Sequence, residues 1–184
     1  PKVAVACGIR YSDYPPYLRA LQEYTIQRYR MQGTQPGKTL DNTLYRTAVI
    51  KQIKGFPKLP VSGGVDAVLG LRLQKAGYEW KVNYGVISTH LRKGLLDELK
   101  RQHFYSKCWE LIRPEISDSA LTESILGIIT RLYYSPLASL RVVLAKKQPE
   151  IFFVYPLIRV AILSGVLSGR LECVKLRKRS KSHI

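Results

Sequence analysis

Ser62-Gly63-Gly64-Val65-Asp66-Ala67-Val68-Leu69-Gly70-Leu71-Arg72-Leu73-Gln74-Lys75-Ala76-Gly77 is the stretch on which the fold of this chain turns. Two adjacent glycines can take positive φ angles and let the backbone approach a ligand closely. Behind them Leu69, Leu73 and Ala76 recur at helical spacing, and Gly77 is placed to end the helix in the left-handed region. Asp66 therefore falls at a helix start, where the exposed N–H groups favour negative charge. An aspartate there is most often a simple N-cap. What marks Asp66 as a candidate catalytic base is the order of the segments around it.

Upstream stand Asn42-Thr43-Leu44-Tyr45-Arg46 and Lys54-Gly55-Phe56; downstream come Arg72-Leu73-Gln74-Lys75-Ala76-Gly77-Tyr78 and Val86-Ile87-Ser88-Thr89-His90. Taken in this order over residues 42–90, they resemble the acceptor-side half of a family-2-type inverting glycosyltransferase of the GT-A fold. The resemblance implies an α/β architecture with part of a GT-A-like, Rossmann-like sheet. It implies Asp66 as general base, Asn42 and Arg46 with the Gly63-Gly64 turn on the substrate, and a nucleotide-sugar donor with a lipid-linked or glycan acceptor. His90, closing the last segment, would be one ligand of a divalent Mg2+ or Mn2+ ion. Arg92, Lys93 and Arg101, which follow it, would hold phosphate oxygens, arginine by paired hydrogen bonds and lysine as a point charge.

The chain departs from the family pattern at Val65, where glutamate is usual, and at Val68, where a second acid is common. The aspartate-x-aspartate motif that would hold most of the metal is missing: the aspartates are Asp13, Asp41, Asp66, Asp97 and Asp118, and no two have that spacing. The chain starts at Pro1, in what reads as mid-strand. The expectation is a fragment or one excised domain, unable to transfer sugar alone, with residues 1–113 as the acceptor-side half and 114–184 as a helical extension.

Composition is that of a folded protein: 184 residues, 46% apolar and 23% charged, suffice for a sizeable core. A formal charge of +17 calls for an anionic partner, whether a phosphorylated substrate, an acidic membrane face or nucleic acid. Cys7, Cys108 and Cys173 are odd in number and widely spaced, with no zinc or redox pattern, which suits reduced thiols at a cytosolic face. No secretory signal is legible at the N-terminus.

Lys2 to Gly8 reads as a strand, Tyr11 to Pro16 as a turn and Tyr17 to Met31 as an amphipathic helix. Gly33 to Thr43 reads as a loop in which Gly37 and Lys38 are available to a phosphate. Tyr78 to Val82 and Gly85 to Thr89 read as two short strands joined at Asn83, and Leu95 to Ile112 as a helix. In the last third three helices are expected, over Ser119–Leu132, Ser135–Leu144 and Pro156–Leu167, with Ser135-Pro136 as an N-cap and first-turn pair.

The apolar run Ile151 to Leu167 is nearly long enough to cross a bilayer, which takes about 20 residues, but Pro156 and Arg159 oppose a simple span. An interfacial helix is the expectation. Phe152, Phe153 and Tyr155 suit the headgroup boundary, Arg159 can snorkel, and Arg170, Lys175, Arg177, Lys178, Arg179 and Lys181 follow. Near an anionic leaflet each such cation contributes about 1 kcal/mol. The location implied is the cytoplasmic face of a membrane. Two other classes compete with a glycosyltransferase. One is a basic nucleic-acid-binding module, drawing on Tyr105 and Trp109 beside Lys100, Arg101 and Lys107. The other is a non-catalytic interaction subunit derived from a transferase.

Overall fold

The computed structural model describes residues 2–32, 40–113 and 125–181, with side chains as far as Leu176. The proposed phosphate loop at Gly37 and Lys38, the expected domain boundary after residue 113 and the expected helix start at Ser119 lie at or outside those limits. The fold is mixed α/β, with a small three-stranded mixed sheet and seven helices among the described residues. The residues group into two compact units: Pro1–Lys58 with Val65–Lys93, and Leu59–Gly64 with Gly94–Ile184.

In the first unit the central strand is β1 (Val3–Asp13), buried along most of its length. It pairs antiparallel with β2 (Thr43–Tyr45) and parallel with β3 (Glu79–Leu91), in the order β2-β1-β3. The strand thus runs on through Tyr11 and Asp13, where sequence suggested a turn. The extension is possible because β3 pairs with it as far as Leu91, while Gln22 replaces the missing neighbour on the short β2 side. Its side-chain amide donates to the Arg10 carbonyl at 3.0 Å and accepts from the Ser12 N–H at 2.9 Å. Gln22 lies on α1 (Pro16–Met31), which has proline in its first turn and packs through Leu18, Leu21 and Ile26.

The two strands expected around Asn83 are one. The register moves from Gly8↔Asn83 to Ile9↔Ile87, so Tyr84, Gly85 and Val86 loop out as a bulge rather than ending the strand. Gly85 N–H donates to Asn83 Oδ1 at 2.9 Å, which steadies the bulge. Helices α2 (Thr47–Gln52) and α3 (Val65–Lys75) supply Val49, Ile50, Leu69 and Leu73. With Ala4, Val5, Cys7 and Trp80 from the strands they form the core of the unit.

The second unit is helical: α4 (Leu95–Leu111), α5 (Ile125–Tyr133), α6 (Ser135–Lys146) and α7 (Ile151–Lys181). Pro136 falls in the first turn of α6 as expected, but the N-cap is Tyr134 rather than Ser135, whose hydroxyl donates back to the Leu132 carbonyl at 2.7 Å. Helix α7 is far longer than the expected Pro156–Leu167 and contains Pro156. Proline has no N–H to give the Phe152 carbonyl one turn back. That carbonyl instead lies 3.4 Å from the hydroxyl of the fully buried Ser139, which also donates to the Pro136 carbonyl at 2.7 Å. Because the freed acceptor faces a donor on α6, the helix continues.

Helices α4 and α7 run in parallel and meet through Gly165 and Gly169. A Cβ on Gly165 would strike the His103 carbonyl, and one on Gly169 would lie 2.8 Å from the Lys107 carbonyl and from Glu110 Cβ. Glycines four apart let two helix backbones approach this closely. Lys107 pairs with Glu172 at 2.5 Å, and Arg170 donates to Glu110 at 3.0 Å, along the same seam. Gly165→Leu is therefore expected to force the helices apart and cost about 1–3 kcal/mol, as overpacking does. Urea denaturation reads the loss, and an unchanged midpoint would contradict so close a contact.

Candidate functional site

The height of Asp66 on the sheet follows from chain geometry. Glu79, the first residue of β3, pairs with Val3 at the start of β1, and α3 ends just before it. Eleven helical residues rise roughly 16 Å, and a strand advances about 3.3 Å per residue. The start of α3 is therefore level with a point some five residues along β1, near Gly8. This is the middle of the parallel strand pair, below the carboxyl ends where open α/β sheets generally place ligands.

Electrostatics puts the same groups together. The half-buried Asp66 carboxyl feels the charges of Arg10 on β1 and Asp41 before β2. Burial pushes its pKa up from the ordinary carboxylate range, and Asp41 adds to the rise. The N–H groups of Ala67 and of Asp66 itself oppose it, as does Arg10. The Ala67 N–H donates to Asp66 Oδ1 at 2.9 Å. Desolvation thus outweighs the helix-start effect that sequence alone emphasised.

Arg10 and Asp41 form an ion pair, and the turn from Asp41 into β2 is tightly specified. Asn42 has φ 51°, its carbonyl accepts the Gly8 N–H at 3.0 Å, and its side-chain amide occupies the space a Gly8 Cβ would need. The Val86 carbonyl, from the bulge, would lie 2.5 Å from that Cβ. The Thr43 hydroxyl donates to the Asp41 carbonyl at 2.9 Å. Tyr45 packs edge-on to Phe56 and Trp80, with centroids at 5.3 and 6.4 Å. Burial raises its phenol pKa; Thr43 works against this, and the charges of Cys7, Asp41 and Asp66 add to it. Asp66 thus feels the Arg10–Asp41 ion pair, and Tyr45 the charges of Asp41 and Asp66, within the first unit.

The other residues named from sequence fall in several places. Arg46 is exposed just before α2 and is tied by its backbone N–H to the Ala4 carbonyl at 2.9 Å. Arg92 and Lys93 close the first unit after β3, half-buried and exposed respectively. Arg101 belongs to the second unit. Its guanidinium grips the buried Glu98 at 2.9 and 2.5 Å and lies 5.8 Å from the Tyr105 ring centroid, so a carboxylate already holds the fork proposed for phosphate.

Gly63 and Gly64 also belong to the second unit, where their small size serves helix packing. A Cβ on Gly63 would lie 2.9 Å from Cys108 Sγ, and one on Gly64, whose φ is 86°, would strike Ile112. Burial raises the Cys108 thiol pKa, against a hydrogen bond from the Gly63 N–H and the Lys107 charge. His90 stands in register with Ser12 on β1. Among the described residues no three His, Cys, Asp or Glu side chains gather as metal donors. The described residues do not by themselves fit a divalent ion.

Sequence reasoning gave no role to Arg10, Asp41 or Tyr45. The available signal for Arg10 was a cation at the end of an otherwise apolar strand. Compared with known proteins, the chain matches no family model, no curated protein and no solved structure.

Because folding raises the Asp66 pKa, the native state binds more protons than the unfolded chain between the ordinary aspartate value, about 3.9, and the raised one. Stability attributable to this group is therefore highest below that window and falls as pH rises through it. Asp66→Asn should remove that decline, so that the variant gains on wild type above pH about 4. Thermal unfolding of both proteins across mildly acidic pH measures it, and parallel curves would refute the burial of an ionisable carboxyl.

Proposed function

We propose that the chain is the acceptor-side part of an inverting, GT-A-like glycosyltransferase working at the cytoplasmic face of a membrane, with Asp66 as general base. The observation that carries this reading is a half-buried carboxyl with a raised pKa at a helix start, within electrostatic reach of an arginine–aspartate pair on the parallel-paired strand β1 and the turn beside it. The motif order over residues 42–90 supports it further.

In this reading an acceptor hydroxyl gives its proton to Asp66 as its oxygen bonds to the anomeric carbon of the donor. The bond from that carbon to the nucleoside diphosphate breaks on the opposite face, and the diphosphate leaves with the bonding electrons. A carboxylate whose pKa is lifted by desolvation is the stronger base for this step. Arg10 opposes that lift and favours the carboxylate. Asn42, held by its contacts with Gly8, and the exposed Arg46 flank the position of the acceptor. A nucleic-acid-binding role is less well supported, because Glu98 and Glu172 already engage Arg101 and Lys107.

General-base assistance is worth about 10²- to 10⁴-fold. In the intact enzyme with a hydroxyl acceptor, Asp66→Asn should lower kcat by that factor and leave donor binding unchanged. Steady-state kinetics and titration of the nucleotide sugar test this. Full turnover in the variant would remove Asp66 from the mechanism.

A further inference from the structure

Helix α7 is, among the described residues, the one helix long and apolar enough to cross a membrane, over Ile151–Leu176, and only 28% of its most apolar window is buried. Its exposed side is a stripe at helical spacing, made by Phe153, Leu157, Val160, Leu167, Leu171 and Val174 and interrupted by exposed Ser164. Phe153 is 71% exposed. Helix α6 leaves Leu137, Leu140 and Leu144 uncovered, and α5 leaves Leu126, Ile129 and Tyr133. So much exposed apolar surface marks an interaction site.

Whether α7 spans a bilayer or lies on it is decided by its companion. Helix α4 follows α7 in parallel, from the groove that Leu99, Lys100 and His103 form with Leu157, Val160 and Ala161 to the contacts of Glu110 with Arg170 and Cys173. That groove holds about 540 Å³. Over this length α4 carries Lys100, Arg101, Lys107 and Glu110, and it cannot separate from α7 without breaking the Gly165 and Gly169 contacts. Taking α7 across hydrocarbon would take those charges and their partners Glu98, Glu172 and Arg170 with it, where a single charge at the centre costs about 2.5–3.5 kcal/mol even on the lowest scale. Helices α5 and α6, of nine and twelve residues, are roughly 14 and 18 Å long, too short for a core of about 30 Å.

We propose that α5, α6 and α7 form a monotopic docking surface for a bilayer bearing anionic headgroups, with their apolar stripes sunk into the interface and no segment crossing it. Charge complementarity identifies the lipid class. Exposed Arg131, Arg141, Lys147 and Lys175 accompany the stripes, with Arg177, Lys178, Arg179 and Lys181 next in sequence, in a chain of net charge +17. Tyr133 and Tyr134, 77% and 56% exposed at the α5–α6 turn, suit the headgroup boundary. This inference does not depend on the sugar-transfer reading.

The test is flotation of the full chain with sealed vesicles of phosphatidylcholine alone and of phosphatidylcholine mixed with phosphatidylglycerol. Binding should be at least about tenfold stronger to the anionic vesicles, since two surface cations at about 1 kcal/mol each suffice for that factor. High salt should reverse it, and external protease should leave no protected fragment. Leu157→Glu/Leu167→Glu and, separately, Arg141→Glu/Lys147→Glu should each abolish flotation, with circular dichroism confirming retained helix. The charge pair alters no apolar residue and keeps the test decisive if the first variant misfolds. Equal binding to neutral vesicles, a protected fragment diagnostic of a span, or stripe-dependent self-association without vesicle binding would each overturn the proposal.

Discussion

Parallel pairing of Val3–Asp13 with Glu79–Leu91 is the constraint on which the candidate site depends. Two parallel neighbours need a crossover, and here the returning element is α3, which must run against both strands to deliver the chain to Glu79. Its first turn is thereby carried up to the middle of β1, and Asp66 comes within electrostatic reach of Arg10 and Asp41. Gly8 completes the arrangement. With no side chain, it admits the Asn42 amide from one neighbour and the Val86 carbonyl from the other, so the β2 turn and the β3 bulge close over the same point of the strand. Gln22 then holds the backbone of Arg10 and Ser12 where β2 no longer reaches.

Opposing forces on Asp66 define its chemistry. Helix-start N–H groups and Arg10 favour the carboxylate, while burial and Asp41 disfavour it, and burial prevails. A carboxyl balanced in this way takes up a proton more readily than an exposed N-cap would. The second unit has its own balance. Gly165 and Gly169 bring a strongly apolar helix against a charged one, and the charges are satisfied along the seam by Lys107 with Glu172 and by Arg170 with Glu110. What remains is a unit polar along one helix and apolar along the exposed stripe of another.

Helices with a clear apolar period were legible in the sequence. Pro16–Met31, Val65–Lys75, Leu95–Leu111 and Ser135–Lys146 lie close to where periodicity, proline and glycine placed them. Strand limits were not, because pairing partners set them: β1 persists to Asp13 on account of β3 and Gln22, and Tyr84-Gly85-Val86 loops out after Asn83 where the composition is that of a chain reversal. The length of α7 was hidden by Pro156, whose broken hydrogen bond is compensated by Ser139, a residue thirteen positions earlier than Phe152. The spacing of Gly165 and Gly169 was visible, yet its meaning required a helix to pack against.

By itself the sequence determined an α/β chain with amphipathic helices, a strong positive charge and Asp66 at a helix start, since these depend on composition and on residues a few positions apart. Only tertiary structure decided which charges Asp66 meets, because Arg10 and Asp41 reach it through strand pairing rather than through sequence spacing. Tertiary structure also gave Gly63 and Gly64 to helix packing, engaged Arg101 with Glu98, and set a charged helix along α7. In each case the deciding contact joins backbones or charges whose approach no local pattern encodes.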